Sequence, residues 1–315
     1  MLLVACDDVN APDPTSTTSS SPAPTLAAST PTASTAANCG PARPHEAGNT
    51  DGTIVSGGRE RTYILSVPVS YDGSVAVPLV LNLHGASSSA TQQAIYSRLQ
   101  AQAEERGFIA VAPNATPDNT GDQAWRFLPG DDTDTGFFTD LLNTLEEELC
   151  IDPARVYSIG ISSGSAMSAR LACALPDRIA AVGLVAAIAY FPGCAADPTP
   201  IIAFHGTADL AVPFEGGMSI GGLPVRPVRD SAADWAELNG CNPTPAEARV
   251  SEHVSTVAYS DCDDEVAVVL YVVEFGGHTW PGSIDVPRLG PTNHEIDATA
   301  LIWEFFAAQA ASRAP

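Results

Sequence analysis

Short apolar runs rich in Val, Ile and Leu punctuate the chain: Tyr63–Val67, Leu79–Leu83, Phe108–Ala112, Val156–Ile159, Ile179–Val185, Ile201–Phe204 and Val266–Val273. Runs of this length without polar alternation predict strands, several of them buried on both faces. Segments with helical spacing of apolar positions fall between many of them. Ala90–Arg106 reads as one helix with Gly107 as its C-terminal stop. Phe138, Leu141, Leu142, Leu145 and Leu149 fall on one helical stripe ahead of Cys150. Ser165–Leu175 is compatible with a helix, and a last one runs from about Ile296 to Ala310 with Leu301, Ile302, Trp303, Phe305 and Phe306. Strands alternating with helices predict an α/β fold: a mostly parallel central sheet with helices on both faces.

The pattern vanishes upstream of Cys39. Between Ala11 and Ala37 every residue except Asp13 and Leu26 is Ala, Ser, Thr or Pro. So little apolar bulk does not offset ordering entropy, and a solvated tether is expected. Ahead of it, Leu3-Val4-Ala5-Cys6 reads as a bacterial lipobox, in which Cys6 is lipidated and becomes the mature N-terminus. The few residues before Cys6 leave no room for a charged region and an apolar core, so Met1 is expected to lie inside a longer signal peptide. The expected organisation is a truncated signal peptide with lipobox at 1–6, a disordered linker at 7–38 and one globular domain at 39–315.

Composition narrows the chemistry. In 315 residues, 45% are hydrophobic and 16% charged, which excludes wholesale disorder and a polytopic membrane protein. Fourteen basic residues, all Arg, face 37 acidic ones for a net charge of −23, a field that opposes wrapping a polyphosphate. Nucleic acid is not expected as a partner. The absence of Lys removes Schiff-base chemistry and lysine-dependent phosphate loops. Seven cysteines contain no C-x-x-C pair, against a zinc ribbon or a thioredoxin motif. With Cys6 lipidated, the other six can form three disulfides in an oxidising compartment. Cys241–Cys262 is the leading pair, with Cys173–Cys194 and Cys39–Cys150 as the other two.

Reactive groups cluster at strand ends. Gly160-Ile161-Ser162-Ser163-Gly164 follows one predicted strand and precedes a predicted helix. That is G-x-S-x-G in a strand–turn–helix setting, where small residues permit a strained turn that exposes the Ser162 hydroxyl as a nucleophile. Of six histidines, His278 is the candidate base. It lies in Gly276-Gly277-His278-Thr279-Trp280-Pro281 after the strand Val266–Val273, whereas His294 sits among Asn293, Glu295 and Asp297, where a solvated or capping role is usual. His84 and His205 each precede a Gly at a strand end, which suits packing or backbone hydrogen bonding. Asp209, in His205-Gly206-Thr207-Ala208-Asp209, is the candidate acid by chain order, against an Asx turn; Asp230 is the reserve. The backbone N–H groups of Ala86 and Ser163 are the expected oxyanion donors. Trp125 and Trp280 are candidates to line a substrate site, with a packing role as the competing reading for Trp125. Asp131, Asp132 and Asp134 lack the downstream Glu of a calcium loop and suit a helix start, so no metal is expected.

In this order, the Ser162, Asp209 and His278 motifs resemble the polyhydroxybutyrate depolymerase and feruloyl esterase group of α/β-hydrolases, close to carbohydrate esterase family 1. Asp152-Pro153-Ala154-Arg155-Val156-Tyr157, Arg170-Leu171-Ala172-Cys173, Ile296-Asp297-Ala298-Thr299 and Ile302-Trp303-Glu304-Phe305-Phe306 add to the likeness, which spans roughly Cys39 to Phe306. The resemblance implies an α/β-hydrolase fold and a secreted serine esterase with a Ser162, Asp209, His278 triad and no cofactor. Its substrate would be an ester-containing polymer or oligomer, polyhydroxyalkanoate or feruloylated or acetylated polysaccharide. Ser163-Gly164-Ser165 departs from the Asn-Gly-Gly common in relatives. Other readings are a non-catalytic surface-binding lipoprotein, an acyl peptidase or a thioesterase. A monomer is expected, extracellular or periplasmic, touching membrane only through a lipid anchor.

Overall fold

The computed structural model describes residues 38–117, 121–194 and 197–312, and each of the seven apolar runs becomes a strand. The chain begins with β1 (Gly48–Ser56), β2 (Arg59–Val67), β3 (Val77–Leu83) and β4 (Ile109–Pro113). A small ribbon, β5 (Thr116–Pro117) with β6 (Gln123–Ala124), separates these from β7 (Ile151–Ile161), β8 (Ala181–Val185) and β9 (Ile201–Gly206). A second ribbon, β10 (Gly217–Met218) with β11 (Pro224–Val225), precedes β12 (Ala246–Arg249), β13 (Val254–Tyr259) and β14 (Val268–Val273). The large sheet runs β1-β2-β4-β3-β7-β8-β9-β14-β13-β12. From β4 to β14 neighbours are parallel, and the two strands at each edge are antiparallel additions. Parallel order puts the C-terminal ends of β3, β7, β9 and β14 on one rim.

Strand periodicity divides the interior in two. Leu79, Leu81 and Leu83 of β3 join one core and Val80 joins the other. The first core packs under α3 (Thr133–Glu148), α4 (Ser163–Ala174) and α5 (Val228–Leu238) through Phe138, Leu141, Met167 and Trp235. The second lies under α2 (Leu99–Arg106) and α6 (Ala298–Ser312) through Leu99, Ala103, Ile302 and Phe306. The expected single helix over Ala90–Arg106 is instead two, α1 (Ala90–Ser97) and α2, broken at Arg98 with φ 54°. The break is held from α6: Arg98 pairs with Asp297 at 2.6 Å, and the Ser97 carbonyl accepts from the Thr299 hydroxyl. Gly107, at φ 74°, ends α2 as expected.

One charge pair is wholly interior. Arg61 of β2 lies 2.8 Å from Asp134 in the first turn of α3, with side chains 3% and 0% exposed. The guanidinium also sits 3.7 Å over the Phe137 ring, and the second Asp134 oxygen accepts the Arg126 N–H.

All three expected disulfides are present. Cys39–Cys150 spans 111 residues and fastens the start of the described chain to the residue before β7; Cys173–Cys194 and Cys241–Cys262 close shorter loops. Three bridges in one chain fit an oxidising, extracytoplasmic compartment. The expected signal segment, Cys6 and nearly all of the expected linker lie outside the described residues. Asn38, counted with that linker, bridges Val75.

Candidate active site

Ser162 follows β7 in a conformation that L-residues rarely adopt, φ 57° and ψ −122°. Such a residue costs about 1–3 kcal/mol and persists only where its surroundings hold it. Here its N–H donates to the Val185 carbonyl at the end of β8, and its carbonyl accepts the Ala166 N–H inside α4. The flanking glycines have a steric reason. A Cβ on Gly160 would stand 2.4 Å from the Gly164 backbone, and one on Gly164 would stand 2.3 Å from the Leu83 carbonyl oxygen. Only hydrogen lets α4 begin against β7 and β3, which leaves Ser162 half-buried at the rim.

The loop after β3 abuts this turn: a Cβ on Gly85 would touch Ser162 Cβ at 3.4 Å. Buried His84 sets its shape. Nδ1–H donates to the Gly85 carbonyl at 2.7 Å, and Nε2 accepts the Ala115 N–H at 3.0 Å, which fixes one neutral tautomer. Trp125 Nε1–H donates to the His84 carbonyl at 2.8 Å. Among the described residues, neither the Ala86 N–H nor the Ser163 N–H has an acceptor. Both are therefore free to receive an anionic oxygen.

Burial pushes the His84 pKa down, more than the Gly85 carbonyl and Asp134 raise it. Between the ordinary imidazole value near 6.5 and the lower folded value, the unfolded chain binds the extra proton. The His84 contribution to stability is therefore complete above pH about 6.5 and falls as pH drops through that window. Melting curves between pH 8 and pH 5 are expected to show a smaller acid-side decline for His84→Gln than for the parent. Equal declines would contradict the neutral-lock assignment.

Asp209 lies on the loop after β9 and is 4% exposed. One carboxylate oxygen accepts the N–H groups of Ala211 and Val212, each at 2.8 Å. The other accepts His278 Nδ1–H at 2.7 Å and lies 3.3 Å from His205 Nε2. Burial alone would raise this carboxyl; hydrogen bonds from His205 and His278 outweigh it and hold Asp209 well below the usual carboxylate range. It therefore stays ionised. Glycines again permit the approach, since a Cβ on Gly206 would stand 2.2 Å from the Gly276 carbonyl oxygen. His278 is pinned further by its N–H to the Leu289 carbonyl at 2.7 Å. Its Nε2 has no hydrogen-bond partner among the described residues. No hydrogen bond joins the Ser162 hydroxyl to His278; such contacts often close only around substrate.

Residues 62–205 match the family described as Esterase PHB depolymerase. Over 287 residues the chain is 31% identical to putative esterase NocK of Nocardia uniformis, covering 80% of each. It is 30% identical to feruloyl esterase C of Emericella nidulans, covering 82% of this chain and 87% of that one. The chain belongs to this esterase family.

As a member of it, the protein is a carboxylic ester hydrolase. Feruloyl esterase B of Piromyces equi is 31% identical over 230 residues, and there the match spans only 42% of the relative's length. Among solved structures, acetyl xylan esterase from Aspergillus awamori superposes with a TM-score of 0.55 at 14% identity, over 82% of this chain and 98% of that one. An S-formylglutathione hydrolase from Agrobacterium tumefaciens gives 0.50 at 13% identity, over 86% and 98%. These likenesses show the α/β-hydrolase fold.

Two expected residues of this esterase lie elsewhere than the sequence suggests. Trp125 and Trp280 are 4% and 1% exposed, so neither offers a ring face to a substrate. Trp125 packs on His84 and Phe138; Trp280 Nε1–H donates to the Thr299 hydroxyl inside the second core. Their polar edges are spent on internal acceptors, which makes them packing anchors. His294 stands at the surface beside Asp285, and Asp230 is exposed in the first turn of α5. Asp131, Asp132 and Asp134 each face an arginine: Arg126, Arg170 and Arg61. Ser165, at the departure from Asn-Gly-Gly, donates its hydroxyl to the Ala187 carbonyl, tying α4 to the loop after β8.

Proposed function

We propose that this esterase is an exported enzyme that hydrolyses the ester bonds of a polymer or its oligomers, polyhydroxyalkanoate or feruloylated or acetylated polysaccharide, through an acyl-enzyme on Ser162. The observation that carries the reading is the 2.7 Å bond from His278 Nδ1–H to a buried, ionised Asp209. It fixes the imidazole tautomer and leaves Nε2 as a lone pair on the rim that carries Ser162.

In the first step Nε2 takes the Ser162 proton while the serine oxygen attacks the ester carbonyl. The resulting oxyanion receives the Ala86 and Ser163 N–H groups. As the tetrahedral centre collapses, the imidazolium returns its proton to the departing alcohol and the ester C–O bond breaks. Water, deprotonated by Nε2, then attacks the acyl-enzyme; the acid product leaves and Ser162 regains its proton. Asp209 stays anionic throughout and stabilises the imidazolium.

The relatives named as feruloyl esterases and the depolymerase description of the family support a polymer-derived ester. A turnover panel of hydroxybutyrate oligomers, methyl ferulate and acetylated xylan, read against p-nitrophenyl acetate, tests it. At least one polymer-type ester is expected to exceed the small activated ester in kcat/KM. Turnover confined to p-nitrophenyl acetate would remove the polymer reading and leave the esterase class standing.

A further inference from the structure

The proposed triad leaves one interior ionisable group beside it without a task. The His205 side chain is fully buried at the end of β9, and its Nε2 lies 2.9 Å from the Val212 carbonyl oxygen. A carbonyl only accepts, so that contact puts the ring proton on Nε2. Nδ1 is then a bare lone pair, buried and without a hydrogen-bond partner among the described residues. The same Nε2–H lies 3.3 Å from Asp209 Oδ2, the oxygen that holds His278.

Packing alone does not call for histidine at this position. An apolar ring such as Phe would fill the volume beside Phe214, 6.0 Å away, without stranding a polar nitrogen in the interior. What an N–H donor at this place supplies is a bridge across the Asp209–Val212 turn. Val212 offers its N–H to one Asp209 oxygen, and its carbonyl takes the His205 proton that also leans on the other oxygen. The carboxylate is thereby held at both oxygens, from its own loop and from the strand end that precedes it.

We infer that His205 is a positioning residue for ester hydrolysis: its Nε2–H bridges the Val212 carbonyl and Asp209 Oδ2, fixing the carboxylate rotamer that presents Oδ2 to His278. The assignment rests on the triad reading above. It acts through Asp209 and involves no contact with substrate. Because the titratable partners of the Asp209 carboxylate are His205 and His278, removing the first concentrates the anion's charge on the second.

The test compares His205→Phe, which keeps a ring and removes the donor, with His205→Gln, whose amide nitrogen can stand near Nε2. His205→Phe is expected to lose about 10- to 100-fold in kcat, as a small misplacement of a catalytic unit does, with KM within about twofold. His205→Gln should recover most of the rate. A His205→Phe enzyme with parental kcat overturns the assignment, and so does a His205→Gln variant as damaged as His205→Phe.

If His205→Phe does not fold, 15N-histidine spectra of the unaltered enzyme decide: the Nε2–H tautomer with an unprotonated Nδ1 is expected at His205, and the opposite tautomer overturns the bridge. His278→Ala, measured alongside, separates the two levels. An active His278→Ala overturns the triad and the inference together; an inactive one beside a parental His205→Phe overturns the inference alone.

Discussion

Ser162→Ala is expected to lower kcat/KM on any turned-over ester by about 10⁴- to 10⁶-fold, with little change in melting temperature. Among the described residues the serine hydroxyl makes no hydrogen bond, and it is half-buried, so its removal opens no interior cavity. Alanine meets the same backbone cost at φ 57° as serine does, so strain is unchanged. His278→Ala should fall comparably, since nucleophile and base act as a unit. Asp209→Asn should follow with a smaller loss, its amide unable to accept every donor now aimed at the carboxylate. Purified variants assayed on a p-nitrophenyl ester decide it, and a Ser162→Ala enzyme within tenfold of the parent would end the serine mechanism.

Asp134→Ala is expected to cost about 3–5 kcal/mol of folding stability, a large share of what a domain possesses. It would strand the Arg61 guanidinium in the interior, still over Phe137, with its counter-charge gone. The Arg126 amide would lose its acceptor as well. Replacing both partners by apolar residues, Arg61→Met with Asp134→Leu, should recover much of the loss, because the penalty comes from an unpaired buried charge more than from a missing attraction. Urea titrations of the three proteins measure this. A cost under about 1 kcal/mol for the single change would show that water reaches the site.

The central strands were readable because each is covered on both faces, so their runs are apolar without interruption. β1, β12 and β13 carry no such run. Their sequences, such as Ala246–Arg249, place exposed residues on an edge or near it and carry no comparable signal. The division of Ala90–Arg106 escaped because Arg98 favours helices by propensity, and only the contacts from Asp297 and Thr299 make the left-handed kink worthwhile. At the site, Ser162, Asp209 and His278 were legible as loop residues following predicted strands. The tryptophans misled because a polar-looking local sequence says nothing of long-range acceptors such as the His84 carbonyl and Thr299. The approach of His205 to Asp209 was missed as well. Its signal was present in the four-residue spacing from a strand end into the acid's loop, which returns the carboxylate over the histidine ring.

The Cys39–Cys150 bridge also decides how the molecule would bear a mechanical load. Tension on the chain ahead of Cys39 would cross the bridge and enter at Cys150, one residue before β7. Residues 40–149, including the exposed edge strand β1, would lie off the load path and be spared the peeling that edges suffer. β7 is flanked by β3 and β8 in mid-sheet, so the pull would be resisted in shear by two ladders at once. The strand that bears the force is the one that leads into Ser162, which couples the mechanical resistance of the fold directly to the integrity of the serine turn.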